Sequence, residues 1–232
     1  MKKMRIVKCV VPLVAFACFF LAGCGDPEIA GDAVVPETGM LRVVNLSDKE
    51  LEVKFGSQLN ASPLAKESGT RWQKQRAGSV TVSALTAEKE DLGGKVEVTK
   101  DKLTTFVIMP SGTKTSQKSH VEEPVKGEGS SVNLRVVLVT ENGDSVLKVT
   151  PQGGSAVETK GDSPAELTLE KAGAARLKFE VGSKLSLERE VEFEEGGSYT
   201  IFVSDGAGDA LAVSVVQNNQ KLNPVGESGA SP

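Results

Sequence analysis

The sequence predicts an all-β protein: two tandem small antiparallel β-sandwich domains that follow an N-terminal leader. Three observations carry that expectation. Short runs alternate apolar and polar residues, as in Leu51-Glu-Val-Lys-Phe55 and Lys95-Val-Glu-Val-Thr99, the period of a half-buried strand. The composition, with 24 glycines and abundant Val, Thr and Ser, favours strands joined by turns. The third observation is a repeat. Leu134-Arg-Val-Val-Leu-Val139 follows Leu41-Arg-Val-Val-Asn-Leu46, and Ala172-Gly173 follows Ala77-Gly78. Arg189 to Phe193 answers Lys95 to Thr99, and Ser198 to Val203 answers Leu103 to Met109, all at an offset of about 93 to 96 residues. A constant offset of this size predicts an internal duplication of a domain with six or seven strands.

Taken in order, the chain opens on four cations, Lys2, Lys3, Arg5 and Lys8, and an uncharged run from Cys9 to Leu21. That run is about 13 residues, short of the roughly 20 that span a bilayer as a helix. It has the layout of a secretory signal peptide, placed at residues 1–23. Residues 24–38 hold Gly, Pro, Asp and Ala without periodicity and read as a tether. The first sandwich is placed at 39–112, with strands over Leu41–Leu46, Leu51–Phe55, Ser79–Leu85, Lys95–Thr99 and Leu103–Met109. A further short strand is expected around Arg71–Gln73, and Pro110-Ser111-Gly112 is expected to end the last one. Residues 113–130 are poor in apolar side chains and read as an interdomain linker. The second sandwich is placed at 131–217 and a disordered tail at 218–232. Nothing in the sequence indicates that the two sandwiches pack on each other.

The leader ends Leu21-Ala22-Gly23-Cys24, which resembles the lipobox of bacterial lipoproteins. The resemblance implies cleavage before Cys24 and lipidation of its sulfur, with two or three acyl chains (palmitate-like). Two chains hold a protein firmly on a membrane where one does not. In that family an aspartate directly after the cysteine favours the inner membrane. Here Gly25 follows, which favours the outer membrane in a cell that has one. The expected place is therefore the periplasmic face of the envelope. Cys9 and Cys18 leave with the leader, so the mature chain forms no disulfide and has no cysteine nucleophile.

The chemistry-bearing residues argue against an enzyme. His120 is the one histidine and lies in the expected linker, with nothing to hold it in place. A Ser-His-Asp triad or a histidine zinc site is not expected. The carboxylates Glu88, Glu90, Asp91 and Glu192, Glu194, Glu195 fall at strand ends and turns, where solvated charge is ordinary. Asn142-Gly143-Asp144 reads as a hairpin turn rather than a calcium loop, whose acidic twelfth position is missing. No metal, no cofactor and no catalytic residue is expected. A mixed net charge of −4 argues against a nucleic-acid partner. One surface candidate remains, Arg71, Trp72, Lys74 and Arg76, which joins the single tryptophan to three cations. Two placements fit it: a basic aromatic patch for an anionic polymer or partner, or a Trp72 that plugs the end of the first sandwich below solvated cations.

The strand motifs resemble a secreted β-sandwich domain found in many bacterial lipoproteins, through Leu41–Asn45, Ala77-Gly78 and Thr104–Ile108, and again through Leu134–Leu138, Ala172-Gly173 and Gly197–Thr200. The two-copy layout also resembles the AlgF-like family of alginate O-acetylation adaptors. The stretch Pro36-Glu-Thr-Gly-Met-Leu-Arg-Val-Val-Asn45 is similar to that family's mature start, with one residue fewer before the arginine. This resemblance implies a non-catalytic periplasmic partner of acetyltransferases that act on an exported polysaccharide. The lipobox is a departure, since members of that family are soluble in the periplasm. The alternative is a structural or surface envelope lipoprotein with no acetylation role.

Overall fold

The computed structural model describes residues 36–60, 62–111, 114–122, 129–141, 143–161, 163–183, 185–205 and 210–218. The leader, Cys24, most of the tether and residues 219–232 of the expected tail lie outside the described residues. The described residues form strands and turns, with no helix among them. In the first half the strands are β1 (Thr38–Asn45), β2 (Glu52–Phe55), β3 (Gln58–Leu59), β4 (Ser68–Gly69), β5 (Gln73–Arg76), β6 (Gly78–Leu85), β7 (Gly94–Val98), β8 (Leu103–Ser111) and β9 (Lys114–Glu122). In the second they are β10 (Val132–Leu138), β11 (Val146–Pro151), β12 (Val157–Lys160), β13 (Ala165–Leu169), β14 (Gly173–Val181), β15 (Leu185–Phe193), β16 (Ser198–Ser204) and β17 (Ala212–Gln217).

Each half is a pair of sheets. The outer sheets run β3-β2-β6-β7 and β12-β11-β14-β15. The inner sheets run β4-β1-β8-β9, with β5 also on β1, and β13-β10-β16-β17. The pairings are antiparallel with two exceptions, β1 with β8 and β10 with β16, which are parallel at the centre of each inner sheet. A parallel pair needs a crossover, and here the chain makes it through the outer sheet of the same half. Alternation builds the two cores. Leu51, just before β2, and Val53 and Phe55 on it face Leu41, Val43, Phe106 and Ile108 of the inner sheet. In the second half Leu147, Val149, Leu177 and Phe179 face Leu134, Val136, Ile201 and Val203.

The two inner sheets also pack on each other, so four sheets stack in layers. Val44, Leu46, Val107 and Met109 of the first half meet Val137, Val139, Phe202 and Val216 of the second. Phe202 is fully buried there, and each such side chain contributes roughly 1.5–3 kcal/mol by leaving water. This second buried face makes the central strands apolar on both sides: β16 is buried at every position. Backbone approach is close. A Cβ on Gly69 of β4 would lie 2.4 Å from Val216 Cγ1 of β17, so only glycine fits. Two cations tie the halves at the sides. Lys118 Nζ donates to the Thr140 carbonyl, and Arg189 Nη1 donates to the Val213 carbonyl and to Glu67 Oε2.

Three expectations are corrected. The linker placed at 113–130 contains β9, which pairs with β8 from Ser111↔Lys114 to Leu103↔Glu122. It holds few apolar side chains because polar groups fill the space it faces. The strand expected over Leu103–Met109 runs two residues further, through Pro110 to Ser111, beyond the last residue that pairs with β1. The tail placed at 218–232 begins with a residue that belongs to the fold: Asn218 is buried and donates its backbone N–H to the Ser198 carbonyl.

Candidate functional site

One end of the space between the inner sheets is polar, and the repeated Leu-Arg-Val-Val runs build it. Strand alternation sends Leu41 and Val43 into the first core, so Arg42 must face the other inner sheet. The same holds for Arg135 between Leu134 and Val136. Each arginine sits opposite a threonine on the parallel neighbour, Arg42↔Thr105 and Arg135↔Thr200. Each also reaches the last strand of the other half. Arg42 Nη1 donates to the Gln217 carbonyl at 3.4 Å, and Arg135 Nη1 lies 3.5 Å from Glu122 Oε2. The relation is reciprocal, as in a two-fold interface.

Arg42 is sealed. Its guanidinium lies 4.1 Å from the Trp72 ring centroid and 5.6 Å from that of Phe202, and its Nε donates to Thr105 Oγ1 at 2.9 Å. Burial pushes its pKa down to about 10, partly offset by the negative charge of Glu122. The group therefore keeps its charge at neutral pH. Two buried donors here, Arg42 Nη2 and Trp72 Nε1, meet no acceptor among the described residues.

Glu122 is the carboxylate between the two arginines, with only 1% of its side chain exposed. Its contacts are loose: Thr200 Oγ1 at 3.3 Å, Arg135 Nη1 at 3.5 Å and His120 Nε2 at 3.8 Å. Charge-assisted bonds ordinarily lie near 2.7–2.9 Å. Asn218 completes the layer through bonds with Thr200 and Ser198.

Arg135 opens to the outside. A cleft of about 220 Å³ lies over it, lined by Asn133, Arg135, Glu166, Thr168, Ser198 and Asn218 among others. Glu166 Oε1 accepts from Arg135 Nη2 at 3.2 Å, but the Glu166 side chain is 77% exposed. Arg135 Nε is buried and finds no acceptor among the described residues.

The residues singled out from sequence are distributed differently from the expectation. Arg71, Lys74 and Arg76 are exposed, whereas Trp72 is buried. Trp72 turns onto Arg42 and shares no surface with its neighbouring cations, so the basic aromatic patch does not form. It does not plug the first core either. The cause is a bulge: β1 pairs Leu41↔Gln73 on one side and Val44↔Gly69 on the other, a register change of one. Both Arg71 and Trp72 therefore stand against Arg42, and the extra residue re-aims the indole. His120 is also corrected. It lies on β9 opposite Thr105, with its ring edge-on to Phe202 at 6.1 Å.

The turn carboxylates act locally. Asp91 accepts from the Ala84 and Gly93 backbones and from Ser83, and although burial opposes this, the three bonds lower its pKa below the usual range. Glu90 pairs with Lys49 at 2.9 Å. Asp144 pairs with Lys160, and Asn142 lies outside the described residues. Among the described residues no three His, Cys, Asp or Glu side chains converge where a metal could sit. Asn45, which ends the first repeated run, is a structural residue. Its amide donates to the Lys49, Leu64 and Ala65 carbonyls, and its Oδ1 accepts from Ser47.

Sequence reasoning missed Glu122, Thr200, Asn133 and Asn218. The one signal available was the arginine present in both repeated runs, a charge at the centre of an otherwise apolar strand. Fold and site define an all-β protein whose β-sandwich-like halves dock through an apolar face with a charged seam at one end. No protein-family model and no curated protein matches the chain.

Proposed function

We propose that this chain is a non-catalytic adaptor. It is anchored through lipidated Cys24 at the periplasmic face of the envelope, with the outer membrane favoured. There it scaffolds acetyltransferase partners during O-acetylation of an exported, alginate-like polysaccharide. The observation that supports a scaffold is the docking of the two inner sheets. It fixes both halves as one body and holds the outer faces and edges at set distances for partners. The edges are guarded against indiscriminate pairing by charge, as on β15, where Glu188, Glu190 and Glu192 point outward. The matching strand order of the halves supports their origin as a duplication. The resemblance of the strand motifs supports the acetylation part.

The test is an affinity pull-down from detergent-solubilised envelopes with mass spectrometry, paired with gene deletion. Co-purification of a membrane acyltransferase or a periplasmic acetyltransferase, with loss of polymer acetylation on deletion, is the expected result. Unchanged acetylation on deletion overturns the adaptor and leaves a structural envelope lipoprotein.

A further inference from the structure

The first half carries a basic end, and the second half carries acid at the same place in the fold. Lys74 and Arg76 alternate on β5 and are exposed, as is Arg71 just before them. Among the described residues none of the three makes an ion pair. Lys74 and Arg76 pair with Met40 and Thr38 of β1, so they stand where the chain enters the fold. The β7–β8 turn meets the same point: the Asp101 N–H donates to the Thr38 carbonyl, and Lys100 Nζ lies 2.8 Å from Glu37 Oε1. The fold does not require this charge. In the second half β13 takes the place of β5, and the β15–β16 turn that of the β7–β8 turn. The residues there are Thr168 and Glu170, then Glu194 and Glu195. The halves differ accordingly. Residues 36–122 hold 13 Lys and Arg against 11 Asp and Glu, and residues 129–218 hold 8 against 14. Such an asymmetry orients a molecule in the field of a charged surface. The basic end is also the one to which the tether leads. The 13 residues from Gly25 to Glu37 reach at most about 45 Å when extended. That is several times the roughly 8 Å over which charge acts at physiological ionic strength. Attachment at Cys24 alone therefore leaves room for the fold to stand off, whereas attraction of exposed cations to anionic headgroups draws it down.

We propose that the first half seats on the anionic phosphate headgroups of the membrane that holds the chain, through Arg71, Lys74 and Arg76 with Lys100 at the rim. The same surface repels the acidic second half. The inference rests on the reading of Cys24 as a lipid anchor for the choice of surface, and is independent of the acetylation role.

The test is lysine acetylation footprinting by mass spectrometry on the membrane-extracted protein. It is compared in detergent, on phosphatidylcholine vesicles, and on vesicles that also contain phosphatidylglycerol. On the anionic vesicles Lys74 and Lys100 are acetylated about three- to tenfold more slowly than in detergent, while Lys148 and Lys160 of the second half are unchanged. About 1 M salt, which shortens the screening length to about 3 Å, removes the protection. Lys74→Glu with Arg76→Glu, both at exposed positions, removes the protection of Lys100, while far-UV circular dichroism remains that of the parent. Flotation reads the anchor separately. Flotation with both kinds of vesicle but no protection on the anionic ones keeps the anchor and overturns the seating. Flotation with the anionic vesicles alone keeps the seating and overturns the anchor. Equal protection on phosphatidylcholine or in detergent assigns this face to another copy or another protein and overturns the proposal, as does protection that survives the double substitution.

Discussion

Arg42 and Arg135 occupy the same place in the two halves and meet different fates. Both lie on the strand that pairs in parallel with its inner-sheet neighbour, and both face a threonine there. In the first half the flanking edge is broken into β4 and β5 by a bulge, and the extra residue brings Trp72 over the guanidinium. In the second half β13 pairs without interruption, and the residue opposite Arg135 is Glu166. One inserted position separates a buried, aromatic-capped arginine from an accessible one above a cleft. The first is sealed between the halves, and the second pairs with Glu122 of the other half and with the exposed Glu166.

The largest effect expected is on the sealed side. Trp72→Ala removes the cap and leaves a buried charge beside a void, with a loss of about 3–5 kcal/mol in denaturant unfolding followed by circular dichroism. Arg42→Lys keeps the charge but loses the stacked fork and the Thr105 bond, for about 2–3 kcal/mol. Arg135→Lys, at a looser and partly open position, costs less than half of that, and equal losses would erase the distinction between the two sites. Gly69→Ala pushes a methyl group into Val216 and costs about 1–3 kcal/mol. Combining it with Val216→Ala recovers part of the loss, a coupling that a double-mutant cycle measures. Glu166→Ala is the smallest, at about 0–1 kcal/mol, and a larger loss would mean that Glu166 supports the fold and does not merely occupy the cleft.

Much of the architecture was legible in the sequence because alternation reports burial on one face of a strand. Leu51–Phe55, Ser79–Leu85 and Lys95–Thr99 fall on β2, β6 and β7 for that reason. Strand β9 was not legible, since its buried face is polar: His120 and Glu122 are satisfied by Thr200, Arg135 and Phe202 from the other half, and local composition cannot report such partners. Strands β12 and β13 escaped for a related reason, being half-exposed edges with weak patterns. The arginine in each repeated run is visible in the sequence as a charge within an apolar strand. Its meaning depends on the docking of the inner sheets, which sequence periodicity does not encode. Trp72 stands out in sequence for its cationic neighbours, whereas a bulge one residue long decides what it touches.

The two halves form one body joined through the apolar contact of the inner sheets and the Arg42–Glu122–Arg135 seam. The direct measurement is guanidinium unfolding of the full chain, followed in parallel by Trp72 fluorescence and far-UV circular dichroism. Trp72 is the single tryptophan and sits on the seam, so its emission reports undocking, whereas circular dichroism reports the strands of both halves. Coincident transitions with one midpoint are the expected result. A fluorescence change complete at a denaturant concentration where the strand signal persists would contradict it, showing two sandwiches that unfold independently.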